Sequence, residues 1–204
     1  MKFNQVVGAD LFMFNELGFD QWFLNVVCWG TGYQMCCAVP IKNPSEVVKA
    51  FASLWVKHYG MPEMLITDQE GEFVGSDFTT YVAQHGGLQH FIDSHSPWQQ
   101  GRTERAGGSF KEDLRNVVRE CGILSESELE LAISDAVDAR NRYPNKSGYS
   151  THVRVFGTSM RLPGRLMSDD PVDRYLVASD PTTEFHRRAV IRDAAMKAHL
   201  KNSD

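Results

Sequence analysis

A chain of 204 residues with 42% hydrophobic content is long enough to bury one sizeable core and still leave some chain for a linker or tail. No apolar run approaches the length that spans a bilayer and the N-terminus MKFNQVVGAD lacks the apolar block of a signal peptide, so the chain reads as soluble and intracellular, with no membrane partner. A net charge of −5 excludes a surface coated in basic charge but leaves room for one basic face, because phosphate binding depends on local Lys and Arg and not on the total.

Val6–Phe14 (VVGADLFMF) is rich in β-branched and aromatic residues and predicts a strand, with Asp10 set inside it. Turn formers at 15–20 separate it from a second strand over 21–29, and Gly30-Thr31-Gly32 separates that from a third over 33–39. Three strands at this spacing predict an antiparallel meander. Pro44-Ser45-Glu46 opens a helix in which Val47, Val48, Phe51, Leu54, Trp55 and His58 recur at helical spacing, and Gly60 with Pro62 ends it. Residues 63–67 form a short strand running into Asp68. A helix joining two strands of one sheet makes them parallel, so this fourth strand is expected beside the first. A helix over 76–85 follows, with Ser76 as its N-cap and Gly86-Gly87 as its stop, and then a fifth strand over 88–92. Ser, Pro, Gln and Gly make 94–101 a loop, after which a long helix runs to about Glu120. A capping pattern over 125–128 opens another helix with an apolar stripe, and a short helical piece is expected over 153–156. The predicted organisation is a core over 1–164, then 165–204 as a polar linker and an alanine-rich helix over 186–201 of undetermined placement.

Cys28, Cys36, Cys37 and Cys121 show neither C-x-x-C spacing nor a partner His-x-x-x-His, which predicts free, mostly buried thiols and not a zinc site. His85, His90 and His95 lie five apart, a spacing that matches no single helix or strand face. They read as surface or core residues and not as a metal set.

Three acids stand out because the predicted topology can bring them together: Asp10 in the first strand, Asp68 at the end of the fourth, and Glu104 early in the long helix. Thirty-five residues lie between Asp68 and Glu104. Alone, each is ordinary: an outward strand residue, a turn residue after a strand, and a first-turn glutamate favoured by the helix dipole. Together they suit phosphodiester chemistry, which needs an activated oxygen nucleophile, stabilised charge on the phosphorus oxygens and help for the leaving oxygen. Two divalent ions about 3.5–4 Å apart supply all of these, and such hard cations take carboxylate oxygens.

The triad and its spacing, the turn DQEGEF, the stretch PWQQGRTERA and the later AVDARNRYPNKSGYSTHVRVFG resemble the catalytic core of retroelement integrases, the D,D-35-E family of LTR retrotransposons and retroviruses. The resemblance implies an α/β, ribonuclease H-like fold with a five-stranded mixed sheet, three antiparallel strands then two parallel, flanked by helices. It implies two Mg²⁺ or Mn²⁺ ions, with Asp10 bridging both, Asp68 completing one site and Glu104 the other. The implied activity is 3′-end processing and strand transfer, and the implied partners are double-stranded DNA, both element ends and target, and further copies of the chain in a homodimer or higher oligomer. An apolar face within 123–139 is available for that association. The implied location is the nucleus or cytoplasm, in a virus-like particle or pre-integration complex.

The same resemblance makes Lys111, seven residues after Glu104, a phosphate contact, and adds Arg102, Arg105 and Gln100 as DNA contacts, the last standing where the family usually has Asn. Trp98 either stacks on a base or packs within the protein. Arg115, Arg119 and the patch His186-Arg187-Arg188 with Arg192 either touch nucleic acid or solubilise their helices. The chain departs from the family in placing Gly71 one position late, in carrying Gly107-Gly108 where a polar residue is common, in replacing a Ser-Pro by Thr151-His152, and in lacking a His2Cys2 module ahead of the core. It therefore reads as a core fragment or a divergent relative. A D,D,E transposase core and a catalytically inert, domesticated DNA- or protein-binding module are the alternative readings.

Overall fold

The computed structural model describes residues 1–16, 18–92, 97–144, 148–158 and 184–203, with side chains left outside that description at 97–100, 102, 184–186, 188–189 and 202–203. The chain forms two compact units, Met1–Glu112 and Asp113–Asp204.

The first unit is built on one sheet of order β3-β2-β1-β4-β5, with β1 Val6–Phe14, β2 Gln21–Cys28, β3 Gln34–Val39, β4 Met64–Thr67 and β5 Leu88–Phe91. Short connections at Gly18 and Gly32, both at positive φ, fold β1, β2 and β3 into the expected antiparallel meander. The helical crossover then lays β4 parallel to β1, and β5 is parallel to β4. The crossover runs as α1 Pro44–Phe51, a π-wound turn over Ala52–Val56, and α2 Lys57–Tyr59. Asn43 caps it, its Oδ1 accepting from the Glu46 amide at 2.9 Å, and Gly60 at φ 77° ends it.

One face of the sheet carries the apolar core. Val7, Leu24, Val26 and Leu65 are buried there, and α1 lies on β2 and β3 with Val47 and Phe51 buried. Phe51 and Phe73 both meet Phe78, with ring centroids 5.8 and 5.1 Å apart, so α1, α3 Gly71–Val74 and α4 Ser76–Gln84 close over that face together. Two details differ from expectation. The cap of α4 is Gly75, so Ser76 lies inside the helix, and α3 was too short to leave a periodic signal.

The helix expected to start after residue 101 starts at Pro97 and runs to Cys121 as α5. Proline at the first helical position costs nothing, because that amide has no partner within the helix, so the loop-like composition of 97–101 did not prevent winding.

In the second unit, α6 Glu126–Arg142 is capped by Ser125, whose hydroxyl accepts from the Glu128 amide at 3.3 Å. The short helix α7 Thr151–Phe156 is capped in the same way by Ser150. The tail helix, here α8 Glu184–Ser203, packs on α6. Leu129, Ala132, Ile133, Ala136 and Val137 of α6 are buried, as are Ile191, Ala194, Ala195 and Met196 of α8. The apolar face over 123–139, expected to serve self-association, is therefore covered within the chain. Nor do Arg187 and Arg192 form a free basic patch. Arg187 pairs with Glu128 at 2.7 Å and donates to the Cys121 and Gly122 carbonyls, capping the end of α5, and Arg192 faces Asp135 at 3.5 Å. The side chains of His186 and Arg188, and the expected linker over 165–183, lie outside the described residues.

Candidate active site

The site begins with how α5 meets β1. A Cβ on Gly8 would fall 2.1 Å from Thr103 Oγ1 and 2.8 Å from Trp29 Nε1, so only glycine lets the helix come this close. Thr103 is held there by the Trp29 indole, which donates to its hydroxyl at 3.1 Å. One helical turn on, Gly107 faces Asp10: a Cβ on it would lie 3.6 Å from Asp10 Oδ2. One further turn on, Phe110 meets Phe12 with centroids 6.2 Å apart. Residues 103, 107 and 110 thus step along one helix face while 8, 10 and 12 step along one strand face, two periodicities running in register. Gly107 is the close-approach glycine, whereas Gly108, the expected fourth residue on from Glu104 toward the site, is exposed with open space around it.

Asp10, midway along β1, and Asp68, just past the end of β4, are brought level with each other. Gly8 pairs with Ile66 in the parallel β1–β4 register, and two residues further along each chain stand Asp10 and Asp68. Asp68 Oδ1 accepts from the Glu70 amide at 3.1 Å, a local turn that fixes the carboxylate just past β4. Glu70 has φ −64° and no residue from 68 to 73 has positive φ, so the late position of Gly71 leaves the turn intact.

Burial, then the charges of Asp68, Glu70 and Glu104, push the Asp10 carboxyl up to about 7, against a lowering hydrogen bond from the Leu11 backbone. Asp68 is raised too, by burial first, with the Glu70 amide and Lys42 opposing. Glu104 therefore belongs to the electrostatic neighbourhood of Asp10. It is exposed, however, and stands two turns into α5 and not in the first, beyond the reach of the helix dipole. Among the described residues, no three His, Cys, Asp or Glu side chains stand close enough to form a metal-binding group. The triad shares one field without closing into a cage.

The donor chemistry nevertheless fits a hard divalent cation. Asp10 and Asp68 are carboxylates from separate segments, and the charge of Asp68, Glu70 and Glu104, which adds to burial in raising the Asp10 carboxyl, is what a bound cation relieves. Asp10, Asp68 and Glu104 are the residues with the chemistry to hold it.

Sequence reasoning missed two features. Lys42 sits between the acids and an aromatic ring: its Nζ lies 2.5 Å from Glu70 Oε2, 3.8 Å from Glu72 Oε2 and 4.1 Å from the Trp22 ring centroid. Glu70 and Glu72, both within the turn DQEGEF, are therefore paired with Lys42. The second is Asn25, fully buried opposite Asp10 on β2, with Gln34 Nε2 donating to its Oδ1 at 2.6 Å. A polar residue inside the apolar run QWFLNVVCW was its visible signal.

Of the expected DNA contacts, Lys111 is half-buried on the Glu104 stripe of α5, about 10 Å along the axis by helix rise. Arg105 is exposed and donates its Nε to the Gly101 carbonyl. The side chains of Trp98, Gln100 and Arg102 lie outside the described residues. His85 is exposed, bonded to the Tyr81 carbonyl at 2.8 Å, and His90 is exposed, in keeping with the surface reading; His95 lies outside the described residues. All four cysteines are free, and burial raises the Cys36 and Cys37 thiols.

No family model and no curated protein sequence matches the chain. Its fold does match solved structures. One is a chain of the simian T-cell lymphotropic virus intasome in complex with the PP2A regulatory subunit B56 gamma, at TM-score 0.69 and 17% identity over 79% of this chain. This chain spans 57% of that one. Two more are the HTLV-2 integrase catalytic core domain in complex with magnesium, in dimeric and trimeric forms, each at TM-score 0.64 and 17% identity over 76% of this chain and 97% and 98% of theirs. The five-stranded mixed sheet flanked by helices is thus the ribonuclease H-like fold of integrase catalytic cores.

Proposed function

We propose that the chain is the catalytic core of a divalent-metal-dependent polynucleotidyl transferase of the retroelement integrase type, of the D,D-35-E pattern, trimming DNA 3′ ends and joining them to target DNA. The observation that carries the reading is Asp10 on β1, level with Asp68 just past the parallel β4 and pushed up to about 7 by burial and by Asp68, Glu70 and Glu104, in a fold shared with integrase cores. Asp10, Asp68 and Glu104 would hold two Mg²⁺ or Mn²⁺ ions, which when bound activate the attacking oxygen and offset charge on the phosphorus and leaving oxygens.

The chain's own residues place the parts. Gly8 and Gly107 let α5 approach β1 closely enough to carry Glu104 toward the two aspartates. Lys111, on the same helix stripe, binds a DNA phosphate, with Arg102 and Arg105 adding positive charge and Trp98 and Gln100 contacting the strand. In the first step water attacks phosphorus and the 3′ oxygen leaves. In the second, that 3′-hydroxyl attacks a target phosphodiester, whose own 3′ oxygen leaves. Neither step forms a bond to the protein. The catalytic core comprises residues 1–164, works on double-stranded DNA as a homodimer or higher oligomer, and acts in the nucleus or cytoplasm. The neighbours solved as an intasome and as dimeric and trimeric forms support this assignment of partners.

A strand-transfer assay on pre-cut duplex ends with Mg²⁺ or Mn²⁺ tests it: joined products are expected from the wild type and background from Glu104→Gln, and equal yields refute it. A D,D,E transposase core would share this geometry. The inert-module reading draws on a specific observation, the exposure of Glu104 and the open spacing of the triad. If Mn²⁺ raises the Tm of wild type and Asp68→Asn equally, the inert module is the better account.

A further inference from the structure

Asn25 is completely buried, yet its Nδ2 has no hydrogen-bond partner among the described residues. A stranded buried amide N–H is costly, and native structures rarely keep one without a reason. The orientation of this amide follows from its neighbours. Gln34 Nε2 donates to Asn25 Oδ1 at 2.6 Å and lies 3.4 Å from the Ala106 carbonyl of α5. Turning the Gln34 amide over would set its carbonyl against that of Ala106. Turning Asn25 alone would set two NH2 groups face to face. The α5 backbone therefore orients Gln34, Gln34 orients Asn25, and Nδ2 is the atom left pointing away from both.

The Asp10 carboxyl stands on the same face of the sheet. Asp10 and Asn25 are direct cross-strand partners, which places their Cβ atoms about 4.5–5.5 Å apart on one face. The space a Cβ on Gly107 would fill is bounded by both: 3.3 Å to Asn25 Nδ2 and 3.6 Å to Asp10 Oδ2. Among the described residues, no other side chain is nearer that point.

We infer that Asn25 is a positioning residue for Asp10: its Nδ2, aimed by Gln34, donates to Asp10 Oδ2 and so leaves the other carboxylate oxygen presented to the divalent cation. This rests on the proposed metal site, and it assigns Asn25 and Gln34 to a buried polar relay running from the α5 backbone to the first aspartate. Outer hydrogen bonds to a ligating carboxylate are worth roughly 10- to 100-fold in metal affinity.

The test is Mn²⁺ binding by the full chain, read from the free-Mn²⁺ paramagnetic resonance signal, alongside the metal-free Tm. Asn25→Leu is expected to weaken Mn²⁺ binding by the folded protein by about 10-fold or more, whatever the change in metal-free Tm, because the donor to Asp10 has been removed. A purely structural Asn25 would instead lower the Tm and leave the affinity of the folded protein unchanged. Asn25→Leu/Gln34→Leu removes both side-chain amides of the relay; it takes the same measurement if the single variant does not fold, with the same loss expected. Wild-type affinity in the variant that folds overturns the inference. Asp68→Asn separates the two layers: if it binds Mn²⁺ as the wild type does, the metal site itself fails, whereas loss of binding there with none in the Asn25 variants sinks the relay alone.

Discussion

A carboxyl held near pH 7 by burial and by three other acids ties the stability of the metal-free protein to pH. Asp10 releases its proton at an ordinary 3.8 when unfolded and at about 7 when folded. Between those values the native state keeps a proton that the unfolded chain has lost, so stability falls as pH rises through that window and levels off on either side. Denaturation midpoints in chelator-containing buffer at pH 4.5, 6 and 8 should decline in the wild type and flatten in Asp10→Asn, and Mn²⁺ at pH 8 should restore the wild type only. Lys42 tunes the same field from the opposite sign. It pairs with Glu70, which raises the Asp10 carboxyl, and Glu70, Glu72 and Asp68 together hold the lysine above its ordinary value although burial opposes them. Lys42→Met frees one negative charge beside the site and Glu70→Gln frees one positive charge. Mn²⁺ affinity is expected to rise about tenfold in the first, fall about tenfold in the second and return near wild type in the double variant, with the differences shrinking at high salt. No change across the three would remove Lys42 and Glu70 from the site.

At the scale of elements, the docking of α5 on β1 decides whether Glu104 faces Asp10 at all, and two glycines with opposite surroundings test it. Gly8→Ala drives a methyl into Thr103 and Trp29 and should cost about 1–3 kcal/mol. Gly108→Ala meets open space and should gain about 0.5–1 kcal/mol from helix propensity while leaving metal binding unchanged. Urea midpoints of the two variants check both signs, and a destabilising Gly108→Ala would mean that α5 is not seated as described. The sheet itself was legible. Alternating apolar runs and the glycines at 18 and 32 marked the meander, and the helix between the third and fourth strands dictated the parallel step beside β1. What stayed hidden was contact across long sequence separations. Gly8 carries no mark of Thr103, ninety-five positions away, and Lys42 carries none of Glu70. Asn25 and Gln34 were visible as polar residues in apolar strands, but their register against Asp10 only exists once the strands pair. The start of α5 was misjudged because Pro97 and Gly101 look like loop residues, when proline at the first position and one helical glycine cost the helix little.

For the molecule as a whole, the tail governs what the second unit exposes. The period in 126–142 announced an apolar stripe without naming its partner, and the alanine-rich tail announced a helix without a place. Each is the other's answer: Ile133 and Val137 are buried on one helix, Ile191 and Ala195 on the other, with Arg187–Glu128 and Arg192–Asp135 along the rim. Small residues at 132, 136, 194, 195 and 198 let the two helices approach closely. Deleting 184–204 therefore uncovers a contiguous apolar face and strips the carbonyls of Cys121 and Gly122 of the Arg187 guanidinium. An uncovered face of that kind seeks another copy. In sedimentation the deleted protein should run as larger species than the full chain, and adding Ile133→Asp should return it to the size of the full chain by placing a charge in the exposed stripe. Identical sedimentation with and without the tail would mean that α8 does not cover this face in solution, and the stripe on α6 would again be free to serve association between copies.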